Sequence, residues 1–216
     1  MKLAFLLLIG LHMYNLSVGQ TDLDKPLIAI LDSIYNEDQK YRLQMDEVEK
    51  KYSWDSKEMQ ALFQSMHEAD SANVIVITRI LDQRGWLGPE IVGKQGNATL
   101  FLVIQHADYT VQKKYLPMMR KAVKLGNASA DDLALLEDRV AIRTGKKQKY
   151  GSQIGLDEIT GEYYILPLKN PGNVNKRRAK VGLRPIEDYI ANWNLTWNAD
   201  EYKKKLPEIM AKQKTY

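Results

Sequence analysis

The stretch DSANVIVITRILDQ, residues 70–83, decides the fold. Val74, Ile75, Val76 and Ile77 form a β-branched run that would suit a buried strand. Residues 70–83 nevertheless contain no turn residue, and Ile80 and Leu81 prolong an apolar stripe that Val74 and Ile77 begin. Beyond a polar interruption at His67-Glu68-Ala69-Asp70, the stripe continues back through Met66, Phe63, Leu62 and Met59. The spacing predicts one helix, from near Asp55 or Ser56 to about Gln83, and a mainly α protein around it.

Working outward, Leu27, Ile30, Leu31, Ile34 and Tyr35, then Tyr41, Met45, Val48 and Tyr52, predict an amphipathic helix over Asp22 to Tyr52, with Asp22 or Asp24 as cap and Pro26 in the first turn. Glycines at 85, 88, 93 and 96 with Pro89 predict an irregular loop of about a dozen residues. Asn97 or Thr99 would cap a helix from Leu100 to Ala107, and Asp108 or Thr110 one that runs through Lys124 to Gly126. Ser129 with Asp132 resembles a capping box for a helix that ends at Gly145. Lys149–Leu156 and Tyr163–Leu168 read as a β-hairpin, and residues 173–181 and 185–192 as two short helices. The expectation is a single helical domain over residues 20–200 with a small hairpin, its chemistry carried by residues 70–153, and a frayed basic tail at 201–216.

Composition narrows the function. The chain has 216 residues, 44% hydrophobic and 27% charged, which suits a globular protein. It has no cysteine, which excludes disulfide scaffolds, thiolate metal sites and cysteine nucleophiles. Lys2, the apolar run Leu3–Leu11 and Ser17-Val18-Gly19 predict a signal peptide over residues 1–19, cleaved before Gln20. The run is too short and too soon interrupted, by His12, Tyr14 and Asn15, for a membrane span. An exported protein, periplasmic or secreted, follows, with no stable membrane insertion. The net charge of +4 is no nucleic-acid signature, and basic clusters at 146–147, 176–178 and 203–205 lack interleaved aromatics and read as solvated faces.

Polar residues in apolar surroundings mark the candidate site. Leu133, Ala134, Leu135, Leu136, Val140, Ala141 and Ile142 take up nearly the whole circumference of their helix, so Glu137, Asp138 and Arg139 fall among neighbours that favour dryness. Either Asp138 and Arg139 brace the helices internally, or they line a cavity as a perturbed carboxylate and an anion-binding guanidinium. The apolar helix at 100–104 runs into Gln105-His106-Ala107-Asp108, where the helix C-terminus and Asp108 favour a protonated imidazole. Once the signal peptide is removed only His67 and His106 remain, so an imidazole catalyst would be His106. A metal held by His67, Asp70, His106 and Asp108 is conceivable, but their spacing is not one that metal sites reuse, and no metal or other cofactor is expected. Gly-x-Ser-x-Gly and phosphate-cradling glycine loops are absent from the sequence.

Asp70-x-x-Asn73, Gly85-Trp86, Val92-Gly93, Gln105-His106-Ala107-Asp108 with Gln112, Asp138-Arg139, and Gly145-x-x-Gln148-x-Tyr150-Gly151-Ser152-Gln153 together resemble a bacterial domain family of unknown function whose members are usually exported. Leu87 and Ser152 stand where that family tends to have proline and threonine. The resemblance implies no activity, but it singles out positions that include His106, Asp108, Asp138 and Arg139, and leaves Glu137 as a local structural charge. His106, Asp138, Arg139 and Asp108 are thus the candidate catalytic residues. Gln105, Gln112, Gln148, Tyr150, Gln153, Trp86, Asp70 and Asn73 are the candidate ligand contacts, since neutral amides orient a polar ligand without titrating. The expected activity is that of a hydrolase or acid–base enzyme on a polar small molecule or cell-envelope component; the alternative is a non-catalytic exported binding protein that uses the same cluster.

Overall fold

A computed structural model describes residues 23–157 and 159–213; the signal peptide expected at 1–19 lies outside them. The element order is α1 (Lys25–Arg42), α2 (Met45–Tyr52), α3 (Lys57–Arg84), α4 (Pro89–His106), α5 (Tyr109–Lys124), α6 (Ala130–Arg143), β1 (Ile154–Leu156), β2 (Tyr163–Ile165), α7 (Val174–Ala179), α8 (Ile186–Ile190) and α9 (Ala199–Gln213). The protein is mainly α with one small antiparallel hairpin, Ile154 pairing with Ile165 and Leu156 with Tyr163. Residues 70–83 are helical throughout.

The caps explain several boundaries. Asp24 accepts from the Leu27 N–H at 3.1 Å, Ser56 from Met59 at 3.1 Å and Asp108 from Val111 at 2.9 Å, each satisfying an otherwise orphaned donor of the first turn. Elsewhere the structure differs from the expectation. The single helix expected over 22–52 breaks into α1 and α2 at Leu43-Gln44. The irregular loop expected at 85–96 is confined to residues 85–88. Pro89 opens α4, because a helix's first turn has no use for the N–H that proline lacks, and Gly93 absorbs a kink at φ 71°. Asn97 and Thr99 therefore lie inside the helix; Asn97 ties the Leu87 and Asn127 carbonyls together at 2.7 Å each. The Ser129 hydroxyl bonds Asp131 rather than closing a capping box with Asp132.

Helices α1 and α4 run parallel, and α3 runs antiparallel to α1. Along α1, Asp24 meets Ile91, Asp32 meets Gln95 and Asp38 meets His106, whereas Asp24 also meets Arg84 and Arg42 meets Asp70. Gly96 permits the close approach of α1 and α4, since a Cβ there would come within 3.0 Å of a Leu31 methyl. Their shared core joins Leu31, Ile77, Leu81, Leu100, Ile104, Tyr115, Met119 and Leu136, all essentially without exposure. A second core forms around Ile165, Leu168, Val174, Ile186, Ile190, Tyr202 and Ile209.

That second core overturns two expectations. The tail is not frayed over 201–213: α9 docks through Tyr202 and Ile209, and the Tyr202 hydroxyl donates to the Leu166 carbonyl at 2.9 Å while it accepts from the Leu168 N–H at 2.8 Å. The basic cluster at 176–178 is not simply a solvated face either. Arg178 is buried, donating to the carbonyls of Arg184 and Tyr150, and Arg177 satisfies those of Lys149, Lys169 and Asn170. Loop carbonyls without a ladder need donors, and these guanidiniums provide them.

Candidate functional site

The parallel pairing of α1 and α4 brings the last turns of both helices together, with the middle of α3 alongside. There Asp38, almost wholly buried at 1% exposure, faces His106, with imidazole Nδ1 2.9 Å from Asp38 Oδ1. Gln39 donates to the other oxygen, Oδ2, at 2.7 Å. Arg42, one turn beyond Asp38, forks onto both oxygens of Asp70 at 2.9 and 2.7 Å and lies 3.5 Å from Asp38 Oδ1. Burial pushes the Asp38 carboxyl up, but the His106 hydrogen bond, the charges of His106 and Arg42 and the Gln39 amide outweigh it and hold it below the usual carboxylate range. Asp38 is therefore ionised and accepts. The proton of the shared bond sits on Nδ1, which in a neutral imidazole leaves the lone pair on Nε2. No protein group among the described residues bonds that nitrogen.

Asp38, Asp70 and His106 offer ligand atoms all within 4.8 Å of one another. Two carboxylates and an imidazole are a donor set that divalent cations accept. In this arrangement the Arg42 guanidinium supplies the positive charge between the two acids.

Helix α6 adds the cations. Arg139 has no hydrogen bond or ion pair among the described residues, and its Nε is buried without a partner. Burial, then the nearby charge of Arg143 and, more weakly, that of Arg42, bring its pKa down to about 10, with Tyr189 acting in the opposite sense. Arg143, one turn further, donates to the Ala107 carbonyl at 3.3 Å, beside His106. Like charges at this spacing on a helix repel, and no carboxylate among the described residues offsets either one.

The expected site residues thus separate. His106, Asp70 and Arg139 fall in this region, whereas Asp138 and Asp108 do not partner the histidine. Asp138, fully buried, accepts from the backbone N–H groups of Lys149 (2.6 Å), Tyr150 (3.0 Å) and Ser152 (3.1 Å) and from the Ser152 hydroxyl (3.1 Å). Burial raises its carboxyl and these bonds partly offset that. It neither braces Arg139 nor serves His106; it folds the loop at 149–152, where Tyr150 is buried. Asp108 caps α5. Gln148 and Gln153 clasp each other at the hairpin's base, with Gln148 Nε2 bonded to the Gln153 and Leu166 carbonyls. Gln112 binds the backbone rather than a ligand-facing surface: its amide donates to the carbonyls of Gln105 at 2.8 Å and Ala107 at 3.0 Å, the two residues that flank His106. Asn73, Gln105 and Trp86 are buried, with Asn73 Nδ2, Gln105 Oε1 and Trp86 Nε1 unpartnered among the described residues. His67 is exposed on α3, outside the cluster of metal-binding atoms.

Asp38, Arg42 and Arg143 escape the sequence reading. The signal for Asp38 was present, since Leu27, Leu31, Ile34 and Asp38 follow at steps of four and three and so share one buried face.

A family model matches residues 21–203, described as a family of unknown function, DUF6624. The chain belongs to that family. The match extends well beyond residues 70–153, the segment whose motifs resembled a family of unknown function, and takes in Asp38 and Arg42. No curated protein and no solved structure matches the chain.

Proposed function

We propose that this DUF6624 protein is an exported acid–base enzyme of the hydrolase type, with His106 as the proton-transferring group and an anionic, polar small molecule or envelope component as substrate. The observation that carries this reading is the His106–Asp38 contact at 2.9 Å, and it is supported by Arg139, a cation that has no anion among the described residues and whose charge is disfavoured by that of Arg42, the neighbour of Asp38. Asp38 fixes the imidazole with Nδ1–H inward, so Nε2 takes a proton from an attacking water and returns it to the leaving group. The imidazolium formed on the way is stabilised by the buried carboxylate, the role a carboxylate plays wherever it orients a catalytic histidine. Arg139 binds the substrate's anionic group or the charge that develops on the reacting centre. Asp70 and Arg42 hold the Asp38 side of the arrangement in place, and Gln112 fixes the backbone on either side of His106. Export rests on the reading of residues 1–19.

The test is an activity screen of wild type beside His106→Ala over esters, phosphoesters, peptides and envelope glycans. Turnover that falls at least a hundredfold in His106→Ala, with an unchanged melting temperature, supports the proposal. Turnover indifferent to His106 overturns it, and saturable binding without any turnover assigns the cluster to a binding protein instead.

A further inference from the structure

A cleft of about 590 Å³ lies between β2, α9 and the segment that joins α8 to α9. None of its lining residues belongs to the His106 site. Four half-buried aromatics border it, Tyr163 and Tyr164 from β2 and Trp193 and Trp197 from the connection. Trp193 closes a 3-10 turn, Ala191–Trp193, and Asn194 then turns the chain at φ 55°, so that Trp197 borders the same cleft. Both indoles are held in place by a tyrosine: Trp193 by Tyr189, with ring centres 5.2 Å apart, and Trp197 by Tyr202 at 5.3 Å. The ring surfaces are thus ordered before a ligand arrives, which lowers the entropic cost of binding.

The polar groups among these rings are uncommitted. The indole N–H groups of Trp193 and Trp197, the Asn194 amide and the Thr196 hydroxyl make no hydrogen bond among the described residues. Asn198 caps α9 with Oδ1, which accepts from the N–H groups of Asp200 at 3.0 Å and Glu201 at 3.1 Å, and its NH₂ stays unbonded among the described residues. Of the charges in the lining, Lys212 is taken up by Asp157 at 2.6 Å and Glu208 at 3.3 Å, which leaves Glu162 and Glu201 against Lys205. That surplus of carboxylate disfavours an anion. A ligand cation would need an aromatic face, and the face of Tyr164 already carries the Lys212 ammonium, 5.6 Å from the ring centre.

From this we infer that the cleft is a second binding site, distinct from the His106 site, and that it takes a neutral oligosaccharide of pyranose units. A pyranose has an apolar face of C–H groups, which lies on the electron-rich faces of the tryptophan and tyrosine rings. Its hydroxyls both donate and accept, so they pair with amides, indole N–H groups and carboxylates alike. The volume falls within the roughly 300–1,000 Å³ of small-molecule sites. N-acetylated and unsubstituted glycans present the same rings and hydroxyls, and experiment separates them.

Isothermal calorimetry on the full chain, with tryptophan emission followed in parallel, tests this with triacetylchitotriose, cellotriose and maltotriose, and with choline and decaproline for comparison. At least one trisaccharide should bind saturably, shift the emission, and bind at least tenfold tighter than choline or decaproline; the tightest identifies the glycan type. Trp193→Ala should weaken that binding at least tenfold. Asn194→Gly, which keeps the positive φ and removes the amide, should weaken it at least threefold at an unchanged melting temperature, and it decides the matter if Trp193→Ala is poorly folded. His106→Ala should bind the trisaccharide as wild type does. Absence of binding by all three trisaccharides, choline or decaproline binding as tightly as the best of them, full affinity in Asn194→Gly, or affinity lost in a folded His106→Ala overturns the assignment.

Discussion

The imidazole Nδ1 of His106, at the last residue of α4, meets the carboxylate of Asp38, a turn from the end of α1, at 2.9 Å. The contact joins two helices whose parallel packing brings their last turns level. Because Asp38 is buried and bonded also to Gln39 and near Arg42, its ionised form is the one the fold supports, and the histidine's orientation follows from it.

Replacing Asp38 by Asn removes the charge and lets the amide present either a donor or an acceptor to the ring. Turnover on the substrate found by screening should fall about 10²–10⁴-fold, as measured in steady-state kinetics with wild type and Asp38→Asn side by side. The pH dependence of stability carries a sign. A carboxyl held below its ordinary value contributes stability that is complete above about pH 4 and is lost as pH falls through the lower folded value. Urea unfolding should therefore show wild type more stable than Asp38→Asn near neutrality and the gap closing in acid; a gap that persists undiminished at the lowest pH would contradict the ionised assignment.

Asp138 predicts a purely structural loss. Asn at this position retains one oxygen where several N–H donors converge, and turns an NH₂ toward them. Thermal or urea unfolding should find Asp138→Asn destabilised by about 3 kcal/mol, the scale of breaking a buried charged hydrogen-bond network. Arg139→Gln removes no protein partner and should stay within about 1 kcal/mol of wild type. Strong coupling between the two substitutions in a double-mutant cycle would restore the brace that the geometry denies.

Asp132, in the first turn of α6, is pushed up to about 7 by burial and by the neighbouring Asp131. A carboxyl raised in the folded state costs stability while ionised, so the protein should gain stability as pH falls from 8 through 7, with the full gain reached near the ordinary carboxyl value of about 4. Asp132→Asn should be more stable than wild type at pH 8 by about 1–2 kcal/mol, a discounted conversion of the shift because the group is only partly buried, and its own pH profile should be flatter. Identical profiles for the two proteins would refute this.

The same residues show what sequence can and cannot carry. The helical reading of residues 70–83 succeeds because an apolar stripe with helical period runs unbroken past the β-branched run. The irregular loop at 85–96 fails because glycine marks several different backbone tasks: Gly85 ends α3, Gly93 kinks α4 and Gly96 makes room for Leu31. In the site, His106 and Arg139 are conspicuous as polar residues among apolar neighbours. Asp138 is conspicuous for the same reason, yet its surroundings are a loop that sequence does not place against α6. Asp38 was obscured by its polar neighbours Glu37, Gln39 and Lys40, although its step from Ile34 puts it on the buried face. Pairing across helices, as in Asp38 with His106 or Arg42 with Asp70, depends on which helices pack together and in which direction, and that lies beyond local periodicity.

The central claim is that His106 and Arg139 form one site for an anion. It is tested most directly by recording the imidazole resonances of His106 by NMR while phosphate, and separately acetate, is titrated into wild type and Arg139→Gln. A saturable movement of the His106 signals by at least one of the two anions in wild type, at least tenfold weaker in a variant of unchanged melting temperature, is the predicted result. His106 signals that neither anion moves, or that move equally in both proteins, would contradict it.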